Sequence, residues 1–330
     1  MIICIFAAVF TIINLNFTIM AKGNMLLGYA RGKVGSLVFS RRKGEQITRA
    51  RNFSPANPRT NAQLAQRMKM YAPVKLYRQS MERFFKYAFS LKEKETIFNG
   101  FMRENISIAP WTARELAVAQ APIPFPARMS SGSLGGFSVA LSPSGEYADA
   151  ALHVGGAGNS VIAVNIGSDD SDYTIADVSE SFLSLHPQFM EGDQLTFVLV
   201  STAGLSLEGG NVLYDESSSF IFKYAKLVLD KSDLRSVTDL GFVTSLVGSN
   251  SAEVGIQSSA DFETDCVGGC VIVTRNVGGK VDATVTTLGL NDTASSFYNL
   301  MRTDSYRAKA AASYKASPDA YLNPATSVNE

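Results

Sequence analysis

With 330 residues, the chain is long enough for roughly two ordinary domains and a substantial core, and at 46% apolar, 10% aromatic and 18% charged its composition is globular. Its three cysteines, Cys4, Cys266 and Cys270, exclude a disulfide framework and suit a reducing compartment or a virus assembled in cytoplasm. The net charge of zero hides a polarity: residues 22–94 hold 17 Lys and Arg against three acids (+14), residues 95–128 balance, and from Met129 onward ten basic residues face 24 acidic ones (−14).

Such asymmetry points to nucleic acid, a membrane surface or one acidic partner. It equally fits a self-complementary arrangement, in which the basic arm of one subunit lies on the acidic body of the next.

Residues 1–19, MIICIFAAVFTIINLNFTI, form an apolar leader that is neither a good signal nor a good anchor. No Lys or Arg precedes the run, Asn14 and Asn16 interrupt it, and no small-residue cleavage site follows. Met20 is therefore read as the initiator. A genuine anchor would bring in a membrane, with Lys22 and Arg31 keeping that side cytoplasmic.

Residues 20–94 form a basic hairpin-helix arm. KVGSLVFSR (33–41) predicts a strand, RKGE a glycine turn, and QITRAR (46–51) the return strand. With a period of two, Leu37 and Phe39 share a face with Arg41, and Ile47 shares one with Arg49 and Arg51. A lone hairpin is marginal in water, so this one expects a partner surface. Pro55 and Pro58 keep the lead-in extended. Thr60 and Gln63 have capping-box spacing, so a helix is expected from near Asn61, with Leu64, Met68 and Tyr71 on its apolar stripe. Pro73 is expected to kink or end it, and a second helix to cover 74–90.

Lysine and arginine on a hairpin and a helix suit phosphates, whose neutralisation releases counterions and gives sequence-tolerant, salt-sensitive binding. The candidate phosphate ligands are Lys33, Arg41, Arg42, Lys43, Arg49, Arg51, Arg59 and Arg67. Tyr29 and Phe39 are candidates for stacking on the bases of a single strand. The same cations serve a protein-docking arm or a plain solvated face.

GNMLLGYARGKVGSLVFSRRKGEQITRARN followed by NPRTNAQLAQR resembles the N-terminal signature of an uncharacterised family found in Bacteroidota and in gut phages, including small single-stranded-DNA microviruses. Gly32, Lys33, Val34 and Gly35, then Asn57, Pro58, Arg59 and Thr60, then Gln63, Leu64 and Arg67 carry the resemblance, which is strong over about residues 20–72. Some phage members bear a provisional DNA-binding label. The resemblance thus implies a phage context and DNA contact, and no established activity.

Residues 95–136 read as a helical and proline-rich connector. Pro110, Pro122, Pro124 and Pro126 precede the Ser/Gly cluster SSGSLGG, which marks a linker or an extended strap and a domain boundary near 122–136. Residues 137–312 read as an acidic β-rich domain. AALHV, SVIAVNIG, QLTFVLVST, SSFIFKYAKLVLD, GFVTSLV, CVIVTR and KVDATVTTLGL are strand candidates, separated in part by GGAGN, EGGN and VGGK. That spacing predicts a sandwich. TIADVSESFLSLHPQFMEG adds a helical turn or long connection, TASSFYNLMRTDSYRAKAAASY a final helix, and residues 313–330 a disordered tail.

Chemistry is sparse. His153 lies in a strand pattern and His186 precedes Pro187, with no G-x-S-x-G to support a triad. Cys266 and Cys270 lack the ligand count of a zinc site, leaving a small disulfide across a turn or two buried thiols. HVGGAGNS lacks the third glycine of a dinucleotide loop and reads as a hairpin turn. Asp169, Asp170 and Asp172 lack the glycine and distal glutamate of an EF-hand loop. No catalytic residue, metal ligand, cofactor or small-molecule substrate is assigned.

The sequence therefore predicts an α+β protein, a basic hairpin and helices followed by a mainly β, sandwich-like domain. The expected role is a non-enzymatic phage or phage-derived structural protein that contacts DNA non-specifically, single-stranded or duplex. The alternative is a virion or surface assembly module whose arm docks on a neighbouring copy or another virion protein. Virion or host cytoplasm is the expected location.

Overall fold

The computed structural model describes residues 20–22, 31–42, 44–53, 60–81, 84, 88–137, 139–142, 150–153, 159–165, 173–208, 211–246, 252–257 and 266–316. The leader 1–19, Tyr29, Lys43, Arg59, residues 154–158, the acidic loop 168–172 and residues 317–330 lie outside the described residues, while 313–316, expected as the start of a disordered tail, are helical. The chain divides into two compact units, Met1–Pro58 and Arg59–Glu330.

The smaller unit is a four-stranded antiparallel sheet of β1 (Met20–Lys22), β2 (Gly32–Val34), β3 (Leu37–Arg42) and β4 (Glu45–Ala50), in the order β1-β4-β3-β2. The single strand expected over 33–41 is in fact two. Val34 pairs with Leu37 across Gly35 and Ser36, and Gly35 takes a φ of 56°, which the first central position of a type II′ turn demands. The expected hairpin of β3 and β4 closes with Arg42 opposite Glu45. Strands on both sides give it the support that a lone hairpin lacks.

In the larger unit, α1 (Asn61–Leu76) starts where the capping spacing places it, with the Gln63 N–H donating to Thr60 Oγ1 at 3.4 Å. Its stripe is as read: Leu64 and Met68 are buried, and the half-buried Tyr71 donates to the Ala121 carbonyl at 2.9 Å. Pro73 does not end the helix. It is buried inside α1, which continues to Leu76 and widens into a π turn at Tyr77–Met81. Core burial of Ala72, Leu76 and Tyr77 holds the chain on its path despite the missing proline donor. Of the second helix expected over 74–90, the described residues are helical through Met81 and at Phe84, continuous with α1 at Leu76, while 82, 83 and 85–87 lie outside the described residues. By Ala88 the chain has left helical geometry, and Phe89 bridges to Ser131 with Ser90 N–H donating to the Ser131 carbonyl at 2.6 Å.

Two short helices follow, α2 (Ile97–Asn105) and α3 (Arg114–Val118). The proline-rich stretch after them is no spacer. Ile123, Phe125, Ala127 and Met129 alternate into the core at 0–1% exposure. Buried Asn105 ties the strap to α2, its Nδ2 donating to the Arg128 carbonyl at 3.0 Å and its Oδ1 accepting from Arg128 N–H at 2.7 Å. The strap ends in β5 (Arg128–Ser130).

The acidic half begins with β6 (Val139–Ser142), β7 (Ala150–His153) and β8 (Asn159–Val164), followed by α4 (Ile175–Leu185). Thr174 and Asp177 form a reciprocal capping box at the start of α4, so the ambiguous TIADVSES segment is a true helix. The remaining strands are β9 (Gln194–Glu208), β10 (Asn211–Val228), β11 (Val243–Leu246), β12 (Ala252–Gln257), β13 (Cys266–Val277), β14 (Lys280–Ala283), β15 (Thr286–Thr287) and β16 (Gly289–Leu290). One sheet runs β10-β9-β13-β14 with β16 beside β13; the other runs β11-β12-β8-β7-β6; β15 pairs with β5. Each of the seven expected segments contains a strand among its described residues, but KVDATVTTLGL, expected as one, is three short strands, β14, β15 and β16, and β6 and β12 were not expected. The expected final helix is split into α5 (Asp292–Leu300) and α6 (Asp304–Ala316) by a turn at 301–303.

Period-two alternation decides the layering. Leu195, Phe197, Leu199, Val271 and Val273 face the second sheet and α4, where they meet Ile162, Val254, Ile256, Val178 and Phe182. Val198, Val200, Cys270 and Ile272 face the other way, onto the strap and the helices, including Met68, Phe101, Phe125 and Phe297. The β9–β13 sheet is thus covered on both faces. The sandwich and the helical region share it, so they form one unit rather than two joined by a linker.

Candidate nucleic-acid interface

The register of the small sheet sorts its cations by face. Lys33 stands opposite Val38, and Val38 opposite Arg49, so Lys33 and Arg49 share a face two strands apart, about 10 Å between their backbones. Arg42 lies on that face too, since it is in step with Val38 along β3, but opposite Glu45. Arg41 belongs to the other face, together with Leu37 and Phe39. The two apolar-to-cationic runs read from the sequence therefore point to opposite sides of the sheet.

Lys33, Arg42 and Arg49 are exposed, and among the described residues no carboxylate lies within ion-pair distance of them. Two long cations held across a strand spacing, with the smaller Val38 between, make a surface that a phosphate chain can cross. Arg41 is exposed and already engaged in an interaction of its own, and Phe39 is half-buried.

Arg51 lies just beyond β4. Its N–H donates to the Ser36 carbonyl at 2.7 Å and its guanidinium carbon sits 4.6 Å from the centroid of the Phe53 ring. Phe53 is 69% exposed. This stacked pair was missed in the sequence, where Phe53 reads only as the lead-in to a proline segment. The signal available was an aromatic residue two positions after an arginine at a strand end.

The helical cations are placed differently. Arg67, Lys69 and Lys75 are half-buried on the flanks of α1, and Arg67 is already engaged. Lys75 reaches Gln120 Oε1 at 3.5 Å, and burial lowers its pKa from the ordinary lysine value. The cations of α1 are thus less open to a ligand than those of the sheet. Of the candidate ligands, the structure brings together Lys33, Arg42 and Arg49, with Arg51 nearby in sequence; Lys43, Arg59 and Tyr29 are outside the described residues.

The other chemical candidates resolve into packing. His186 is 5% exposed in a ring cluster with Phe137, Phe182 and Phe189, its centroid 4.6 Å from that of Phe182. His153 pairs in register with Asn159, so HVGGAGNS joins two antiparallel strands. Cys266 and Cys270 lie on one strand, β13, four residues and thus about 13 Å apart, which excludes the small disulfide. Cys270 is buried, and the loss of solvation raises its thiol pKa far above the ordinary value, leaving an inert side chain. Among the described residues no cluster of His, Cys, Asp and Glu is suited to a metal, and no helix is long and apolar enough to cross a membrane.

Residues 29–120, somewhat more than a quarter of the chain, match a family of unknown function, DUF6266. The match spans β2 to β4 and α1 to α3, and so includes both the cationic sheet and the helices that cover the β9–β13 sheet. No curated protein and no solved structure matches the chain.

Proposed function

We propose that the chain is a phage or phage-derived structural protein, of the Bacteroidota and gut-phage kind its N-terminal signature resembles, that holds DNA without sequence preference. The grip is the face of the small sheet carrying Lys33 and Arg49. The observation that carries this reading is that these cations are exposed, share one face and have no carboxylate of their own chain within reach among the described residues. Phosphate contact positions a protein and reads no bases, which fits a sheet whose exposed side chains offer charge and little else. The Arg51–Phe53 stack gives an exposed aromatic ring to an unpaired base, so single strands are the favoured substrate. The protein acts without catalysis, in the virion or the host cytoplasm.

Fluorescence anisotropy of a labelled oligodeoxythymidylate tests this directly, with the full chain and a variant lacking residues 1–58. Binding by the full chain that is lost in the variant is the expected result. Equal binding by both would place the grip elsewhere and overturn the reading.

A second reading, an assembly module, draws on the β9–β10 hairpin. Beyond Thr202 the described residues pair β9 only with β10, so that edge of β9 carries no further strand among them. Sedimentation velocity across a concentration series separates the two readings. A monomer at every concentration removes the assembly role.

A further inference from the structure

The acidic half carries two arginines that do not fit its charge. Arg302 and Arg307 flank the start of α6, and both are exposed. The guanidinium carbon of Arg302 lies 5.4 Å from the ring centroid of Tyr298, and its Nη1 donates to Tyr298 Oη. That of Arg307 lies 5.1 Å over the ring of Trp111. Both rings are half-buried and anchored through one short segment. Tyr298 Oη donates to the Ile108 carbonyl at 2.9 Å, and the backbone N–H of Trp111 donates to the Met301 carbonyl at 3.3 Å, which fixes the chain that carries the Trp111 ring.

From Met129 onward acids outnumber cations 24 to ten, so an exposed arginine there has many possible internal partners. Among the described residues neither arginine has a carboxylate within ion-pair distance, and Asp304, which lies between them in sequence, pairs with neither. Each is held on an aromatic ring instead. A guanidinium so held has already lost much of its rotamer freedom and keeps N–H donors for an anion. The planar fork matches the oxygens of a phosphate in a way that a lysine does not. Elsewhere among the described residues the same device, an exposed arginine over a ring, occurs at Arg51 and Phe53 in the basic sheet.

We propose that Arg302 and Arg307, braced by Tyr298 and Trp111, form a second phosphate-binding site that takes the backbone of the nucleic acid. The proposal rests on the DNA-holding reading above and adds to it a site in the larger unit. Arg302 and Arg307 bind the phosphates; Trp111 and Tyr298 position them.

Trp111 is the chain's single tryptophan, so its emission reports this site. The full chain is titrated with unlabelled oligodeoxythymidylate while Trp111 emission is followed, and with a labelled copy by anisotropy. A saturable change in emission with the same midpoint as the anisotropy is expected. R302Q/R307Q should weaken binding about tenfold and reduce the salt slope by about 1.4, the share of two phosphates on a single strand. R302K/R307K, which keeps the charge and loses the fork, should fall between the two. It also carries the comparison should the glutamine pair fail to fold, as judged by circular dichroism. Binding by either folded pair that equals wild type, or binding with Trp111 emission unchanged, would overturn the second site. The basic sheet is tested separately by K33Q/R49Q. If that variant binds as wild type while R302Q/R307Q is weakened, the sheet reading falls and this site stands; the opposite pattern removes this site alone.

Discussion

Among single residues, Asp193 and Arg275 show how differently this chain treats cations it needs for folding and those it leaves for a partner. Asp193 is 1% exposed, and its carboxylate receives Arg275 Nε at 2.7 Å and Nη2 at 2.6 Å, while Arg275 Nη2 also donates to the Gln188 carbonyl at 3.1 Å. Removing one partner of a buried pair strands the other charge, so Arg275→Met should destabilise the protein by about 3–5 kcal/mol, read as a lower midpoint in urea. Arg275 is thus spent on the fold. Lys33 and Arg49 are not, and changing both to glutamine should leave that midpoint within about 0.5 kcal/mol of wild type, as for most exposed sites. A large loss of stability in K33Q/R49Q would show that these side chains belong to the structure rather than to a ligand.

At the level of elements, the strap carries the clearest consequence. Phe125 is 1% exposed among the helices and the β9–β13 sheet, and Phe125→Ala should cost about 3–5 kcal/mol in a denaturant melt. A cost below about 1 kcal/mol would mean the stretch behaves as the linker its prolines imitate. The strands were legible because β-branched runs with period two have few other uses, and the Gly278–Gly279 hairpin announces itself with both φ values positive, 58° and 80°. The misreadings have local causes. Gly35 looks like one residue of a strand until its φ turns the chain. β12, AEVGIQ, hides because a glycine sits where even a Cβ would meet the Ser160 carbonyl at 2.1 Å, a crowding only the folded sheet contains. Pro73 and the strap follow tertiary burial that no local pattern encodes. The candidate site was half legible: the cations stand in the sequence, but their division between faces needs the register, and Arg307 meets Trp111 across almost two hundred residues.

For the whole molecule, the described residues of the two apolar cores all lie beyond Pro58. A variant lacking residues 1–58 should therefore unfold in a single cooperative transition, with near-ultraviolet dichroism like that of the full chain. Loss of that cooperativity would show that the small sheet is needed for the fold, and its cations could then no longer be assigned to binding alone. Charge separation along the chain acquires its meaning at this scale. Within the +14 segment Lys33, Arg42 and Arg49 are exposed on the sheet while Arg67, Lys69 and Lys75 on α1 are half-buried, so total charge overstates the available grip.

The salt dependence of oligodeoxythymidylate binding tests that grip most directly, because each phosphate contact contributes roughly 0.7 to the slope of log affinity against log salt on a single strand. The expected result is a steep slope for the full chain that becomes shallower by about 1.4 in K33Q/R49Q. A flat dependence in the full chain, or a slope that K33Q/R49Q leaves unchanged, would contradict the account.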